Sequence, residues 1–250
     1  MPTDLTGVDL KIERAKEHID DLERQLAAFD ATEPYALIEQ DDPENPERFQ
    51  GIIRINAPIP PSISLVTGDA VHNLRTAFDH LACAAVSSGG GTVTIETAFP
   101  ISRKPSVPTE QQWYSLVARK VKGAPKPFIK LLLALQPYEG GNHEALWAID
   151  YLDITDKHKL LIEAFSSYAK LMQWVGPVGL GIKPDGHALP LKDGDELFGG
   201  PKPNENRKMD VEIEVALGEP GVLAGEPVVP ALTDLLQTAT AILDTFRKVL

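Results

Sequence analysis

The apolar positions at the start of the chain repeat with the period of a helix. They alternate at spacings of four and three over about three heptads, which places them on one stripe. The stripe consists of Val8, Ile12, Ala15, Ile19, Leu22, Leu26 and Phe29. A capping box from Thr6 to Asp9 marks the start of this helix. We expect the stripe to pack against the next long helix of the same chain, because three heptads are short for an independent coiled coil.

A second amphipathic helix is predicted to run to about Ser88, where consecutive glycines from Gly89 end it. Its apolar stripe consists of Val71, Leu74, Phe78, Leu81, Ala82 and Ala85. The opposite face carries Asp69, His72, Asn73, Arg75, Thr76, Asp79, His80 and Cys83. Exposed helix faces are usually filled with Lys, Glu and Gln, whereas these residue types pair, titrate or coordinate. This polar face is therefore the candidate functional surface.

The stretch between the two helices combines a link with a strand. Proline and acidic residues from Glu33 to Pro46 predict a connecting segment, and the loose alternation of Arg48–Ile55 predicts a strand. Four later segments have helical patterns: Glu110–Val121, the residues after Pro125 through Leu135, Asn142–Tyr151 and Leu232–Leu250. We expect Thr155 to cap a further helical turn. The clean alternation of residues 210–215 predicts a strand with one solvent face.

Together these elements predict an α+β fold, in which a helical bundle has a small antiparallel β-sheet inserted before a C-terminal helix. Residues 1–164 are expected to form the mainly helical bundle with a short β segment. Residues 165–229 are expected to form an antiparallel β subdomain. Residues 230–250 are expected to form a C-terminal helix that packs back on the bundle.

Charge and composition narrow the range of partners. With 24 Lys and Arg against 36 Asp and Glu, the net charge is −12, which argues against non-specific binding to nucleic acid or anionic membranes. A basic stretch is formed by Arg119, Lys120, Lys122, Lys126 and Lys130. It is either the solvated side of two helices or a local path for an RNA backbone.

The chain also lacks the usual signs of export or membrane insertion. No apolar run approaches the roughly 18–20 residues of a membrane span, and the charged N-terminus lacks the apolar segment of a signal peptide. Cys83 is the only cysteine, which is typical of proteins in a reducing compartment. We therefore expect a cytoplasmic protein that does not bind membranes.

A second group of polar residues lies near the end of the third of these helical segments. It contains Asp153, Thr155, Asp156, Lys157 and His158. The two aspartates are three residues apart, so a helix points both carboxylates roughly the same way. If this group meets the polar face of the second helix, histidines, carboxylates, an arginine and a lysine come together. Such groups either satisfy one another as a structural network or form a site that binds and reacts.

Two other kinds of site have weaker support from residue spacing. A metal site requires at least three ligands to converge. The candidate ligands are His72, Asp79, His80, Asp153, Asp156 and His158. The chain contains neither an HExxH nor an ExxH pattern, so we expect no metal and no cofactor. A Ser–His–Asp hydrolase is not indicated, because the chain has no GxSxG elbow.

Several motifs taken together resemble those of a known group of proteins. They are Gly68-Asp69-x-x-His72-Asn73-Leu74-Arg75-x-x-x-Asp79-His80-Leu81, Phe99-Pro100-Ile101, Leu135-Gln136-Pro137-Tyr138 and Asp156-Lys157-His158-Lys159. Over most of its length the chain resembles a family of uncharacterised bacterial proteins of actinobacterial type, which carry a GDxxHNLRxxxDHL helix and a DKHK motif. That family has no established activity, so this resemblance implies no function by itself.

The chain has a more distant resemblance to the HEPN superfamily, helical-bundle proteins that include metal-independent ribonucleases of toxin and defence systems. Their Arg-x4-His signature is similar to the segment from Arg75 to His80, although Thr76 stands where Asn is commonest. The resemblance implies a HEPN-like bundle in which Arg75 stabilises the phosphate and His80 activates or positions the ribose 2′-hydroxyl. It also implies a homodimer that brings two motifs together, with RNA guided by the basic stretch.

Six residues are expected to support this pair: His72, Asn73, Asp79, Asp156, Lys157 and His158. The alternative is a non-enzymatic α+β binding or interaction protein, in which the polar helix face is a structural network or a small-ligand pocket. The environment of His80 distinguishes the two hypotheses. A catalytic histidine should lie in an open cleft, whereas a structural one should be enclosed with both ring nitrogens bonded.

Overall fold

The computed structural model describes residues 3–102, 109–138, 141–158, 164–172, 181–182, 190–202, 210–218 and 223–250. The described elements, in chain order, are α1 (Thr6–Asp30), β1 (Tyr35–Asp42), β2 (Asn45–Ile55), α2 (Pro61–Ser88), α3 (Glu110–Lys120), α4 (Lys126–Leu135), α5 (Glu144–His158), β3 (Ala164–Met172), β4 (Gly181–Ile182), β5 (Glu196–Pro201), β6 (Asp210–Leu217) and α6 (Val228–Arg247). The fold class is α+β, as predicted. None of the described helices is both long enough and apolar enough to cross a membrane.

The chain divides into two compact units. The helical unit contains Met1–Leu22, Leu65–Ile162 and Val229–Leu250, and the β unit contains Glu23–Ser64 and Glu163–Val228. The β unit is therefore discontinuous in sequence. It includes residues 23–64, which the division predicted from sequence assigned to the helical part.

The β unit contains two antiparallel sheets. One has four strands in the order β1-β2-β5-β4, and the other pairs β3 with β6. β6 confirms the strand predicted from the alternation of residues 210–215. The predicted insertion before the last helix supplies β3 to β6, but β1 and β2 come from an earlier part of the chain. The larger sheet is therefore not a single insertion before the C-terminal helix.

The link predicted from Glu33 to Pro46 is wrong, because β1 and the start of β2 occupy it as a hairpin. Asp42 lies opposite Asn45 in the strand register, so the two residues between them form the turn. β1 is the outer strand of its sheet. An edge strand has one unpaired side and tolerates charged residues that a central strand would exclude. Because the end of β1 is acidic, apolar alternation did not predict this strand.

The core of the helical unit is built on the apolar stripe of α2. The six residues of the predicted stripe are all fully buried. A run of aromatic rings extends this core. Phe99 lies 4.9 Å from Phe78 in α2 and 5.7 Å from Phe246 in α6, measured between ring centroids, and Phe246 lies 4.9 Å from Phe128 in α4. These contacts hold α2, α4 and α6 together, with each ring pair adding to the burial of apolar area.

Two predicted helix starts are corrected by the structure. Thr155 does not cap a new turn, because α5 is continuous from Glu144 to His158 and contains it.

At α1, the carboxylate of Asp4 accepts a hydrogen bond from the backbone N–H of Thr6 at 2.9 Å. The capping group is therefore Asp4 and not Thr6. Hydrogen bonding to Thr6 lowers the pKa of Asp4, since it favours the ionised carboxylate.

Candidate functional site

The polar face of α2 meets α5 within the helical unit. The Nδ1 atom of His72 lies 2.9 Å from Oδ1 of Asp153, and Nζ of Lys157 lies 2.7 Å from Oδ2 of the same carboxylate. The two polar groups identified in the sequence, which are about eighty residues apart, are therefore in contact. We call His72, Asp153 and Lys157 the histidine–aspartate centre.

The hydrogen bonding of this centre sets the proton position on His72. A carboxylate flanked by an ammonium group is ionised and only accepts hydrogen bonds, so Nδ1 of His72 carries the proton and donates to Asp153. The other ring nitrogen, Nε2, then carries a lone pair. Oγ1 of Thr76 lies 3.5 Å from it, which is at the limit for a hydrogen bond. Nε2 is therefore available to accept a proton from another molecule.

The burial of the centre differs from group to group. The side chain of Asp153 is 5% exposed, whereas those of His72 and Lys157 are each 43% exposed. A buried carboxylate thus holds two half-exposed groups, one that can exchange a proton and one that carries a positive charge. This arrangement provides acid–base chemistry and anion stabilisation at one place on the surface of the helical unit.

Arg75 has a different environment from the one that the HEPN resemblance implies. Its Nε lies 2.7 Å from Oδ1 of Asp150, its Nη1 lies 2.6 Å from Oδ1 of Asp79, and its Nη2 donates to the carbonyl of Phe99 at 3.2 Å. Burial lowers the pKa of Arg75, but the charges and hydrogen bonds of Asp79 and Asp150 outweigh it and raise the pKa. The guanidinium is thus buried, charged and committed to groups of the protein itself, which does not suit a ligand of substrate phosphate.

His80 lies apart from the histidine–aspartate centre. The residue is exposed, and its ring lies over Gly7 of α1, where an added Cβ would come within 2.5 Å of Nδ1. Its separation of eight residues from His72 corresponds to about 12 Å along the helix axis. The two histidines of one chain are therefore too far apart to act on the same bond. His80 is exposed whereas Arg75 is buried, so the two residues of the predicted pair have different environments.

Two of the expected supporting residues have structural contacts. Asn73 is buried, accepts a hydrogen bond from Nζ of Lys11 at 3.0 Å and donates to the carbonyl of Asp69 at 2.8 Å. It therefore holds α1 against α2. Asp156 packs over Gly68, where an added Cβ would lie 2.4 Å from its Oδ1. The side chain of His158 lies outside the described part of the structure.

The sequence analysis assigned no role to Asp150, to Gly7 in α1 or to Gly68 in α2. Asp150 precedes Asp153 by three residues on α5, and this spacing puts both carboxylates on the side of the helix that faces α2. The spacing of three residues from Asp153 could have identified Asp150 as a second carboxylate on the same side of α5. Gly7 and Gly68, each inside a helix where glycine is unfavourable, were also signals of close approach by a side chain from another helix.

Other candidate features were also located in the structure. Among the described residues, no group of three or more His, Cys, Asp or Glu side chains is arranged to hold a metal ion.

Four residues of the basic stretch are exposed, namely Arg119, Lys122, Lys126 and Lys130. Lys120 is half-buried and lies 3.8 Å from Glu96. The basic stretch is therefore a surface feature on α3, α4 and the turn between them.

In comparisons with known proteins, no family model, no curated protein and no solved structure matches this chain. Its function must therefore be inferred from the geometry of the site.

Proposed function

We propose that the protein is a metal-independent ribonuclease whose acid–base residue is His72. The observation that supports this most directly is the 2.9 Å contact between His72 Nδ1 and Asp153 Oδ1. A buried carboxylate that fixes the tautomer of a half-exposed histidine is the arrangement that makes Nε2 an effective general base. Lys157, on the same carboxylate, supplies the positive charge that phosphoryl chemistry requires.

The reaction follows from the chemistry of these three groups. Nε2 of His72 removes the proton of a ribose 2′-hydroxyl, and Asp153 stabilises the imidazolium that forms. The 2′-oxygen then attacks the adjacent phosphorus, the bond from phosphorus to the 5′-oxygen breaks, and a 2′,3′-cyclic phosphate results. Lys157 offsets the negative charge that develops on the phosphate. The departing 5′-oxygen takes a proton from water, and the imidazolium of His72 gives its proton to the hydroxide that this leaves, so that both groups return to their starting state.

This assignment differs from the one that the HEPN resemblance implies, although the proposed activity is the same. Arg75, paired with Asp79 and Asp150, positions α2 against α5 so that His72 meets Asp153. We also propose that the chain belongs to the bacterial family and is related to HEPN proteins. We further propose that it forms a homodimer and contacts RNA through the basic stretch. A cytoplasmic location belongs to this proposal as well. The motifs, the exposed cations and the single free cysteine support these points.

The test is cleavage of a fluorogenic single-stranded RNA in excess EDTA. We expect the wild-type chain to cleave it, and the H72A variant to lose activity by about 10²- to 10⁴-fold, the usual contribution of a general base. H143A is the matched control, because the Nδ1–H of His143 donates to the carbonyl of Leu135 at 2.7 Å and the residue is not in the centre. Full activity of folded H72A would overturn the proposal. Loss of activity in H80A alone would instead support the Arg75–His80 assignment.

A non-enzymatic binding or interaction protein is the second candidate. It is favoured by the paired state of Arg75, whose partners all belong to the protein itself. In that case the polar face stabilises the helical unit, and the wild-type chain has no activity on RNA. The H72A variant would then change only the midpoint of thermal unfolding, which the same preparations can report by circular dichroism.

A further inference from the structure

A cavity of about 980 Å³ lies in the helical unit. One of its walls is α3, and the other is the extended segment of residues 98–102. The wall from α3 includes Gln111, Ser115, Leu116 and Arg119. The volume is at the upper end of the range of about 300–1,000 Å³ that is usual for small-molecule sites. None of the three residues of the histidine–aspartate centre is among its described lining residues.

Both walls of this cavity are held in place by hydrogen bonds. The backbone N–H of Phe99 donates to Asp79 at 2.9 Å, and its carbonyl accepts from Arg75. On the other wall, Thr109 and Gln112 form a capping box at the start of α3. The indole N–H of Trp113 donates to the carbonyl of Leu133 at 3.2 Å and ties α3 to α4. A ligand would therefore enter a cavity that is already formed, which reduces the entropy lost on binding.

The charge of the cavity is opposite to that of the chain. Its described lining residues include three cations, Arg75, Arg119 and Lys120, and no carboxylate, whereas the net charge of the chain is −12. Arg75 is neutralised by its two buried aspartates, and Lys120 lies 3.8 Å from Glu96. Arg119 forms no ion pair with any residue in the described part of the structure. The cavity is thus lined by an exposed guanidinium that no carboxylate of the described residues neutralises.

The wall formed by residues 98–102 carries mainly apolar side chains. Phe99, Pro100 and Ile101 contribute hydrocarbon on that wall, while Leu116, Gln111 and Ser115 lie on α3, the helix that also carries Arg119. A ligand that fits both surfaces carries an anionic group at one end and an apolar body at the other. Arginine binds carboxylates and phosphates through paired N–H groups, and both anions therefore suit Arg119.

We propose that this cavity binds a small organic anion, in which a phosphate or carboxylate group is attached to an apolar body of up to about mononucleotide size. The anionic group pairs with Arg119, and the apolar body lies against the Phe99–Ile101 wall. The site does not depend on the histidine–aspartate centre, so it stands whether or not the protein cleaves RNA.

Isothermal titration calorimetry on the full chain tests this proposal with two matched pairs of probes. Adenosine 5′-monophosphate is compared with adenosine, and 4-phenylbutyrate with 4-phenylbutyramide. We expect at least one anion to bind with a Kd below about 1 mM and its uncharged counterpart to bind at least tenfold more weakly. Comparison within each pair measures the contribution of the anionic group, and the pair that binds shows which combination of anion and body the cavity accepts.

Three variants locate the binding. R119A should weaken binding of the anion by about tenfold to a hundredfold, because it removes a charge-assisted hydrogen bond. L116W should block the cavity while it keeps the charge, and K122A makes the same charge change at an exposed position outside the described lining. Circular dichroism confirms that each variant is folded. Absence of binding by both anions, or binding that R119A and L116W leave unchanged, would overturn the proposal.

Discussion

Asp150 and Arg75 form a buried ion pair between α5 and α2, with Oδ1 of the aspartate 2.7 Å from Nε of the arginine. The side chains are 2% and 7% exposed, so neither charge has water to replace its partner. Removal of one partner from such a pair usually costs more than the pair contributes, because the remaining charge stays buried. The pair is therefore best tested by variants that remove one charge or both.

We expect D150A to lower the free energy of unfolding by about 3 kcal/mol, since among the described residues it leaves the buried guanidinium with Asp79 as its one charged partner. Urea denaturation of the full chain, followed by circular dichroism, measures this loss. The double variant R75M/D150L removes both charges and should recover most of the stability. If D150A unfolds within about 0.5 kcal/mol of the wild type, the size of a typical neutral surface change, Arg75 is not held by this carboxylate.

Two helical glycines offer a matched comparison. An added Cβ at Gly68 would lie 2.4 Å from Oδ1 of Asp156, and one at Gly7 would lie 2.5 Å from Nδ1 of His80. The exposed His80 ring can turn away into solvent, whereas Asp156 has a buried Oδ1. We therefore expect G68A to destabilise the chain by about 1–2 kcal/mol through overpacking, while G7A leaves the thermal midpoint nearly unchanged. Equal effects of the two variants would show that Asp156 is not packed as described.

Lys157 provides a test of charge stabilisation in the proposed reaction. Its Nζ lies 2.7 Å from Asp153 Oδ2, and its side chain is half-exposed. We expect K157A to lower kcat for RNA cleavage by at least tenfold, with K157R retaining part of the activity because it keeps the positive charge. K130A removes an exposed charge of the basic stretch and should mainly raise KM. A K157A variant with unchanged kcat would remove Lys157 from the mechanism.

Cys83 provides a test of local electrostatics that does not depend on function. Burial, and next the nearby Asp79 carboxylate, raise the pKa of the Cys83 thiol. Because the reactive form is the thiolate, we expect alkylation by iodoacetamide at pH 8 to be slower in the folded chain than in urea. D79N should speed the reaction by lowering this pKa. A rate in the folded chain equal to that of the unfolded chain would contradict the shift.

The same shift has a consequence for stability. A thiol whose pKa is higher in the folded state favours folding while it is protonated in both states, at pH values below the usual thiol pKa of about 8.5. This contribution is lost as the pH rises through the folded-state pKa. Between pH 8 and pH 10, C83A should therefore lose less stability than the wild type in urea titrations. An identical pH dependence in both chains would contradict this expectation.

The helices illustrate what short-range pattern reveals. The apolar stripe of α2 was predicted residue by residue, and Arg75 and Asp79 have the spacing of four at which ion pairs form on a helix. β1 illustrates the opposite case. Its acidic end and the proline in the turn that follows favour a link, and only its pairing with β2 at the sheet edge makes it a strand.

The chain alone predicted the helical segments and the unusual polar face of α2, because helix periodicity and i, i+4 pairing depend only on local backbone geometry. The tertiary structure decided which groups meet that face. His72 meets Asp153 and Arg75 meets Asp150 across 81 and 75 residues of chain. Several carboxylates on α5 could have paired with His72 or Arg75. Which of them does so depends on how α2 and α5 pack, and that packing is determined by burial over the whole core. This packing is the reason that the proposed acid–base role falls to His72 and not to His80.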